Sequence, residues 1–323
     1  MAEPNLTQAV ASAWEAKVGT KPTDNIHNDY WTLHNFDQGD GWKGVDGGRL
    51  IEISIEYGVN TTFKSYDDLE TLDTTRIPVF DAAQFQWKQI AGTVVISEKE
   101  KAFTQGSGGK FDLLAGKLEN AKNSHDRELN RQIYTDGTGN AGKDIGGFLL
   151  LIPVSPALGT VGGISRVTFT WWRSIQASGA KTTAAYDNLR SAMTTVYNTC
   201  SQGVSSEHPN VVVSGIAMFG AYEGLLVAIE QIVDKNQADI AFKGEAIKFK
   251  GAKFAYDAAV TLADAVYMWN TSFLKMYYQK NYWKKMFPPV DPANQTADVY
   301  KILTICNLGA SALRRAGIVS GIT

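Results

Sequence analysis

The chain has 323 residues, 44% of them apolar, and a formal net charge of −2. That is enough for one large domain or two intertwined ones, without the basic excess of an avid nucleic-acid binder. The start, MAEPNLTQAVASAWEAK, is no signal peptide, and the longest apolar run, Phe148 to Val154, is too short to span a bilayer.

In chain order, residues 5–18 predict a short amphipathic helix with Leu6, Val10, Trp14 and Val18 on one side. Residues 19–48 are rich in Gly, Asp and Asn, and Tyr30, Trp31, Phe36 and Trp42 follow no regular period. They read either as an arm anchored by aromatics over other surfaces or as an irregular loop of the same domain. Leu50 to Tyr57 alternates, with Ile51, Ile53, Ile55 and Tyr57 opposite Glu52, Ser54 and Glu56, as a half-buried strand does. A second extended stretch spans Ala83–Ile96, with Phe85, Trp87 and Val95 on one parity and Gln86, Lys88 and Ile90 on the other. Between them, residues 60–79 hold little that builds a core, and Lys64, Asp67, Asp68, Glu70, Asp73 and Arg76 are candidate contact residues. Two strands of about ten residues reach roughly 33 Å. This predicts a long hairpin, and an isolated hairpin needs support from its own domain or from a neighbouring molecule.

Lys110 to Tyr134 predicts one long helix of about 25 residues and roughly 37 Å. Phe111, Leu114, Leu118, Ala121, Leu129 and Ile133 form its apolar stripe, with His125 filling one place. Charged pairs such as Glu119/Lys122 and Lys122/Asp126 lie on the other side. Such a helix is a spine for other layers. Further helices are predicted at Thr182–Thr199, with Leu189, Met193 and Val196 inward, and near Phe219–Val233. Asn210–Ser214 reads as a buried strand, residues 239–278 as successive strands from DIAFKG to SFLKMYYQ, and Tyr300–Asn307 as one more. The last strands are expected to return to the sheet beside the spine.

Several patterns look chemical. Residues 137–143, GTGNAGK, fit both GxxxxGK and GxGxxG. Phosphate binding by either needs a strand-to-helix turn. Here the glycines follow a helix, and Asp144 stands where a metal-binding Ser or Thr belongs. A helix cap and turn is the better reading. His27 and His34 lie among Asp24, Asp29, Asp37 and Asp40 without a ligand spacing. Ser206, Glu207 and His208 are chain neighbours, so their side chains diverge, whereas a triad is assembled from separate elements. The aromatics from Tyr267 to Phe287 point to core or interface packing in preference to base stacking. Cys200 and Cys306 read as buried thiols, with a single disulfide as the other possibility. Neither an active site nor a cofactor is expected.

Phrases spread over most of the chain resemble the major capsid proteins of tailed bacteriophages, of the Hong Kong 97 type. They are GGRLIEISIEYG (47–58), SYDDLETLD (65–73), WKQIAGTVVISEKEKA (87–102), LNRQIYTDGTG (129–139), and GGISR followed by Trp171-Trp172-Arg173. FKGAKFAYD (249–257), YMWNTSFLKM (267–276) and ICNLGASALRRAGIVSGI (305–322) complete the set. The resemblance implies an α+β fold with an N-terminal arm (1–46) and an extended hairpin loop (47–97) lying over a neighbouring subunit. It also implies a peripheral domain of spine helix and sheet (98–145 and 239–323) and an axial α/β domain (146–238).

The implied function is self-assembly, as hexamers and pentamers, into an icosahedral virion shell around double-stranded DNA, put together in the host bacterial cytoplasm. Implied partners are other copies of the chain, a portal protein, a separate scaffolding protein, a possible decoration protein, and DNA held without sequence specificity. No membrane is involved. Some relatives join a loop Lys to a distant Asn beside a catalytic Glu; Lys64 is in the loop, but the other two members have no match. The alternatives are an encapsulin-like compartment shell and a nucleotide-binding enzyme using Gly137–Lys143.

Overall fold

The structure, a computed structural model, describes residues 30–38, 41–104, 113–178, 185–203, 205–230, 247–292 and 296–321. The helix expected at 5–18, His27 with Asp24, Asp29 and Asp40, the start of the spine at 110–112 and the strand expected at 239–244 lie outside the described residues.

Two regular elements of the 31–45 stretch pack into their own chain. They are α1 (Trp31–Gln38) and β1 (Trp42–Val45). Phe36 stacks on Trp269 with centroids 5.8 Å apart, and Trp42 meets Trp283 edge-on at 4.5 Å. Aromatic burial thus builds two elements where no period was visible.

β2 (Leu50–Glu56) and β3 (Phe80–Gln86) pair antiparallel, from Leu50 opposite Gln86 to Glu56 opposite Phe80. Ile51, Ile53 and Ile55 are buried while Glu52, Ser54 and Glu56 face solvent. β4 (Lys88–Ser97) follows after a break at Trp87 and pairs with another strand altogether. Across that break the parity flips. Phe85 is buried, but so are Ile90, Val94 and Ile96, whereas Val95 is exposed. The expected single strand over 83–96 is therefore two strands in different sheets.

α2 (Glu98–Thr104) precedes the spine helix α3 (Leu113–Ile133). Leu129, Ile133 and His125 are buried, but Leu118 and Ala121 are only half-buried, so among the described stripe residues the core lies toward the C-terminal end. Asp126 reaches across to Lys284 instead of serving only a pair along the helix. A single helical turn at Phe148–Leu151 leads to the small hairpin of β5 (Thr160–Val161) and β6 (Ile164–Ser165). Then come β7 (Ile175–Ser178), α4 (Ala185–Ser201), β8 (Val211–Ser214) and α5 (Ile216–Glu230). Leu189, Met193 and Val196 of α4 are buried, and β8 is buried throughout. The chain closes with β9 (Ile247–Phe249), β10 (Ala252–Tyr256), β11 (Val266–Trp269), β12 (Leu274–Gln279), β13 (Lys285–Val290), β14 (Ala297–Ala310) and β15 (Gly317–Ser320).

Two sheets organise these strands. One has the order β1-β12-β14-β13, with β4 on the other edge of β14, and α3 packs on it. The other has the order β7-β15-β11-β8-β10-β9 and carries α4 and α5. Residues 247–269 and 317–320 thus pair with 211–214 and 175–178, not with the sheet beside the spine. β8 recruits strands from far along the chain. β13 was not expected. It contains Pro288 and Pro289 with a register shift between Phe287 and Val290, and an edge strand tolerates both.

Candidate functional site

The base of the β2–β3 hairpin is anchored, but its tip is not. Residues 57–79 form no strand, and none of them is buried. Local bonds shape the tip: Tyr66 donates its hydroxyl to the Thr62 carbonyl and accepts from the Asp73 N–H, each at 3.0 Å. The Asp73 carboxylate accepts from Thr75, which holds its pKa below the usual value. Lys64, Asp67, Asp68, Glu70, Asp73 and Arg76 all face solvent, with Lys64 over the Tyr66 ring. Large apolar side chains interrupt the charges. Phe63 is 85% exposed, Leu69 99% and Leu72 64%. A soluble surface scatters single apolar residues, but here three stand together on one tip.

A second unfilled surface lies between β4 and α3. It is a groove of about 570 Å³, lined along six consecutive β4 residues, Ile90 to Val95, and by Gly116, Lys117, Asn120, Ala121, Ser124, His125 and Glu128. No described strand pairs with the outer edge of β4. Lys117 is engaged by Glu100 at 2.9 Å, and Glu128 by Arg131 and Gln132. Sequence reasoning missed this groove because it needs two segments in register.

The patterns that resembled chemistry are placed otherwise. Asn140, Ala141 and Gly142 adopt positive φ after the spine ends, and a turn with no entering strand makes no phosphate cradle. Asp144 is buried and accepts from Arg131 at 3.2 Å, while Lys143 is exposed. Glu207 pairs with Arg315, whereas His208 stacks on Tyr197 with centroids 4.8 Å apart, so the Ser206–His208 neighbours serve different contacts. His34 is exposed. Among the described residues no group of three or more His, Cys, Asp or Glu side chains is placed to hold a metal. Tyr267 and Trp269 are fully buried, and Trp283 packs on Trp42 and Tyr278. Cys200 and Cys306 are free and buried, and burial pushes both thiols up to about 12.

No family model and no curated protein sequence matches the chain. Solved structures do. A chain of the cyanophage A-1(L) capsid asymmetric unit superposes with a TM-score of 0.68, at 17% identity over 95% of this chain and 96% of that one. The capsid of a native GTA particle gives 0.61 at 12% identity, covering 98% and 99%. The SrpI encapsulin of Synechococcus elongatus gives 0.59 at 9% identity, covering 97% and 95%. Over 95–98% of its length the chain therefore matches the Hong Kong 97-type fold.

Proposed function

We propose that this chain is a major capsid protein, a structural subunit that self-assembles as hexamers and pentamers into the icosahedral virion shell of a tailed phage. The observation that carries the reading is the hairpin: a folded base with a charged and apolar tip that the described residues leave exposed. In this reading the tip lies on a neighbouring subunit. Many such modest contacts, repeated by symmetry, close a stable container from weak pairwise interfaces. Residues 98–145 with β12 to β14 act as the peripheral part. Residues 146–230 with 247–269 and 317–320 act as the axial part around the symmetry centres.

The partners in this reading are other copies of the chain, a portal protein, a scaffolding protein, a possible decoration protein, and double-stranded DNA on the inner face. A net charge near zero suits the last, since a strongly basic lining binds DNA tightly and salt-dependently. A second reading, a compartment shell enclosing protein, is favoured by the similarity to the SrpI encapsulin. Fold alone does not choose between them. Microscopy of particles purified after nuclease treatment, with analysis of their contents, does. Protected DNA supports the capsid, protein cargo the compartment, and failure to form particles under any condition removes both.

A further inference from the structure

We infer that the uncharged surface formed by residues 154–171, on the axial part beside the neck of the hairpin, is a contact site for a second copy of this chain. This rests on the shell reading and adds to it a surface that the reading does not name. The first sign is compositional. Of the whole chain 20% is charged, yet residues 145–180 contain no Asp, Glu or Lys, and only Arg166 and Arg173 carry charge there. Burial does not account for this, because every exposed residue from 154 to 170 is uncharged. Leu158 is 65% exposed, Val167 61%, Val154 40% and Phe169 39%. Depletion of Lys, Asp and Glu, with aromatics and Arg retained, marks the centre of a protein–protein interface.

The surface is continuous and braced from within. The Arg166 N–H donates to the Gly159 carbonyl at 3.0 Å, which brings the flanking Leu158 and Val167 together. Phe169 lies 5.8 Å from Trp171, centroid to centroid, and Trp171 stacks on Tyr57 at 5.1 Å. Beneath, Trp172 Nε1 donates to the Val161 carbonyl, and the Gln84 N–H of β3 donates to the Gly162 carbonyl, each at 2.9 Å. Both arginines are spent on the backbone of the surface itself: Arg166 donates to the Leu151 carbonyl, and Arg173 to those of Arg166 and Val167. A surface ordered in advance loses little entropy when it binds.

The chemistry selects the occupant. Nucleic acid is held by Lys and Arg at its phosphates, and here there is no Lys and the arginines face carbonyls. A bilayer surface is met by a basic amphipathic helix, whereas this patch is a two-stranded hairpin with its flanking loops. A protein surface remains. The patch runs up to Tyr57, the residue after β2, so it continues onto the hairpin that the shell reading gives to contacts between copies. An uncharged surface also meets an identical chain without setting like charges against each other, a clash that symmetry would repeat at every contact.

The test is maleimide labelling of Leu158→Cys and of Val167→Cys, in the unassembled chain and in particles that contain this chain alone. Cys200 and Cys306 are buried in the single chain and give a low background. Labelling that is rapid in the unassembled chain and slowed about tenfold or more in particles is the expected result, since interface centres exclude water. Equal labelling in the two states overturns the patch while leaving the shell reading intact. Protection that appears only when a different protein co-purifies contradicts a second copy as the occupant. A parent chain that forms no particles removes the shell reading, and this inference with it. Val167→Glu gives an independent arm. The site is exposed in the single chain, so the variant should melt like the parent. Its particle yield should fall about tenfold or more, because assembly would bury an unpaired charge. A variant with the parent's melting and the parent's yield contradicts the inference.

Discussion

The side-chain amide of Asn130, on the spine helix, sits 3.0 and 3.1 Å from the two carboxylate oxygens of Asp257, which follows β10 in the other sheet. Asp257 is buried and also accepts from the backbone N–H of Thr32 and of Ala259. Thr32 in turn bonds the Tyr134 hydroxyl, and Thr261 donates to the Tyr134 carbonyl. One carboxylate thereby ties α1, the end of α3 and the second sheet together. Its charge is met by neutral donors, which stabilise a buried anion when they converge on it.

Asp257→Ala removes the acceptor and strands those donors in the interior. Each unmet buried donor costs about 1–3 kcal/mol. We expect a loss of about 3 kcal/mol or more in denaturant unfolding, with Asp257→Asn less severe. A change under about 0.5 kcal/mol, the usual scale of surface substitutions, would contradict the junction.

The two ends of the spine should respond differently. Leu129 is fully buried, so Leu129→Ala should cost about 2–5 kcal/mol. Leu118 is half-buried beside the groove, so Leu118→Ala should cost clearly less in the unassembled chain. Equal losses in urea unfolding would show that the stripe is core along its whole length.

Acid should weaken the contact between the spine and the strands. Burial raises the Asp126 carboxyl, but hydrogen bonds from His125 and Lys284 outweigh that and hold it below 3.8. A carboxylate lowered in the folded state stabilises fully above its unfolded value and loses that contribution as pH falls through the folded one. The parent's melting temperature should therefore drop below about pH 4, and Lys284→Met should lessen the drop. An identical acid profile in the variant would remove Lys284 from the account.

The glycine turn separates packing from chemistry. A Cβ on Gly147 would press into the carbonyl oxygens of Ile133, Gln132 and Thr135, so Gly147→Ala should yield little folded protein. Lys143 is exposed, so Lys143→Ala should melt like the parent, and neither protein should bind ATP or NAD in calorimetry. Micromolar nucleotide binding lost in the variant would restore the phosphate-loop reading.

What the sequence reveals here is mostly local. The alternation of Ile51, Ile53 and Ile55 and the stripe of Leu189, Met193 and Val196 each report one face of one element, and both faces are buried in the structure. Long-range pairing leaves no such trace. Nothing near Trp87 announces that the chain changes sheets there, and nothing near Trp42 announces a parallel strand beside β12. β10 and β11 join β8 across gaps of about forty or more residues, pairings that no local pattern announces. The exposure of the charged tip residues was legible because polarity over 60–79 is itself local, but the groove was not. It exists only where α3, from Gly116 to Glu128, meets β4 from Ile90 to Val95.

The central claim is that the tip serves assembly and not the fold of its own chain. Replacing Thr61–Thr75 with a short Gly-Ser turn changes closure entropy only slightly, since that cost grows with the logarithm of loop length. Sedimentation velocity of this variant beside the parent, with circular dichroism as the control for folding, is the most direct measurement. The account predicts a folded, cooperatively melting chain that sediments as small species where the parent forms shells. Parent-sized particles from the variant would contradict the claim, and global unfolding would place the tip within the core of its own subunit.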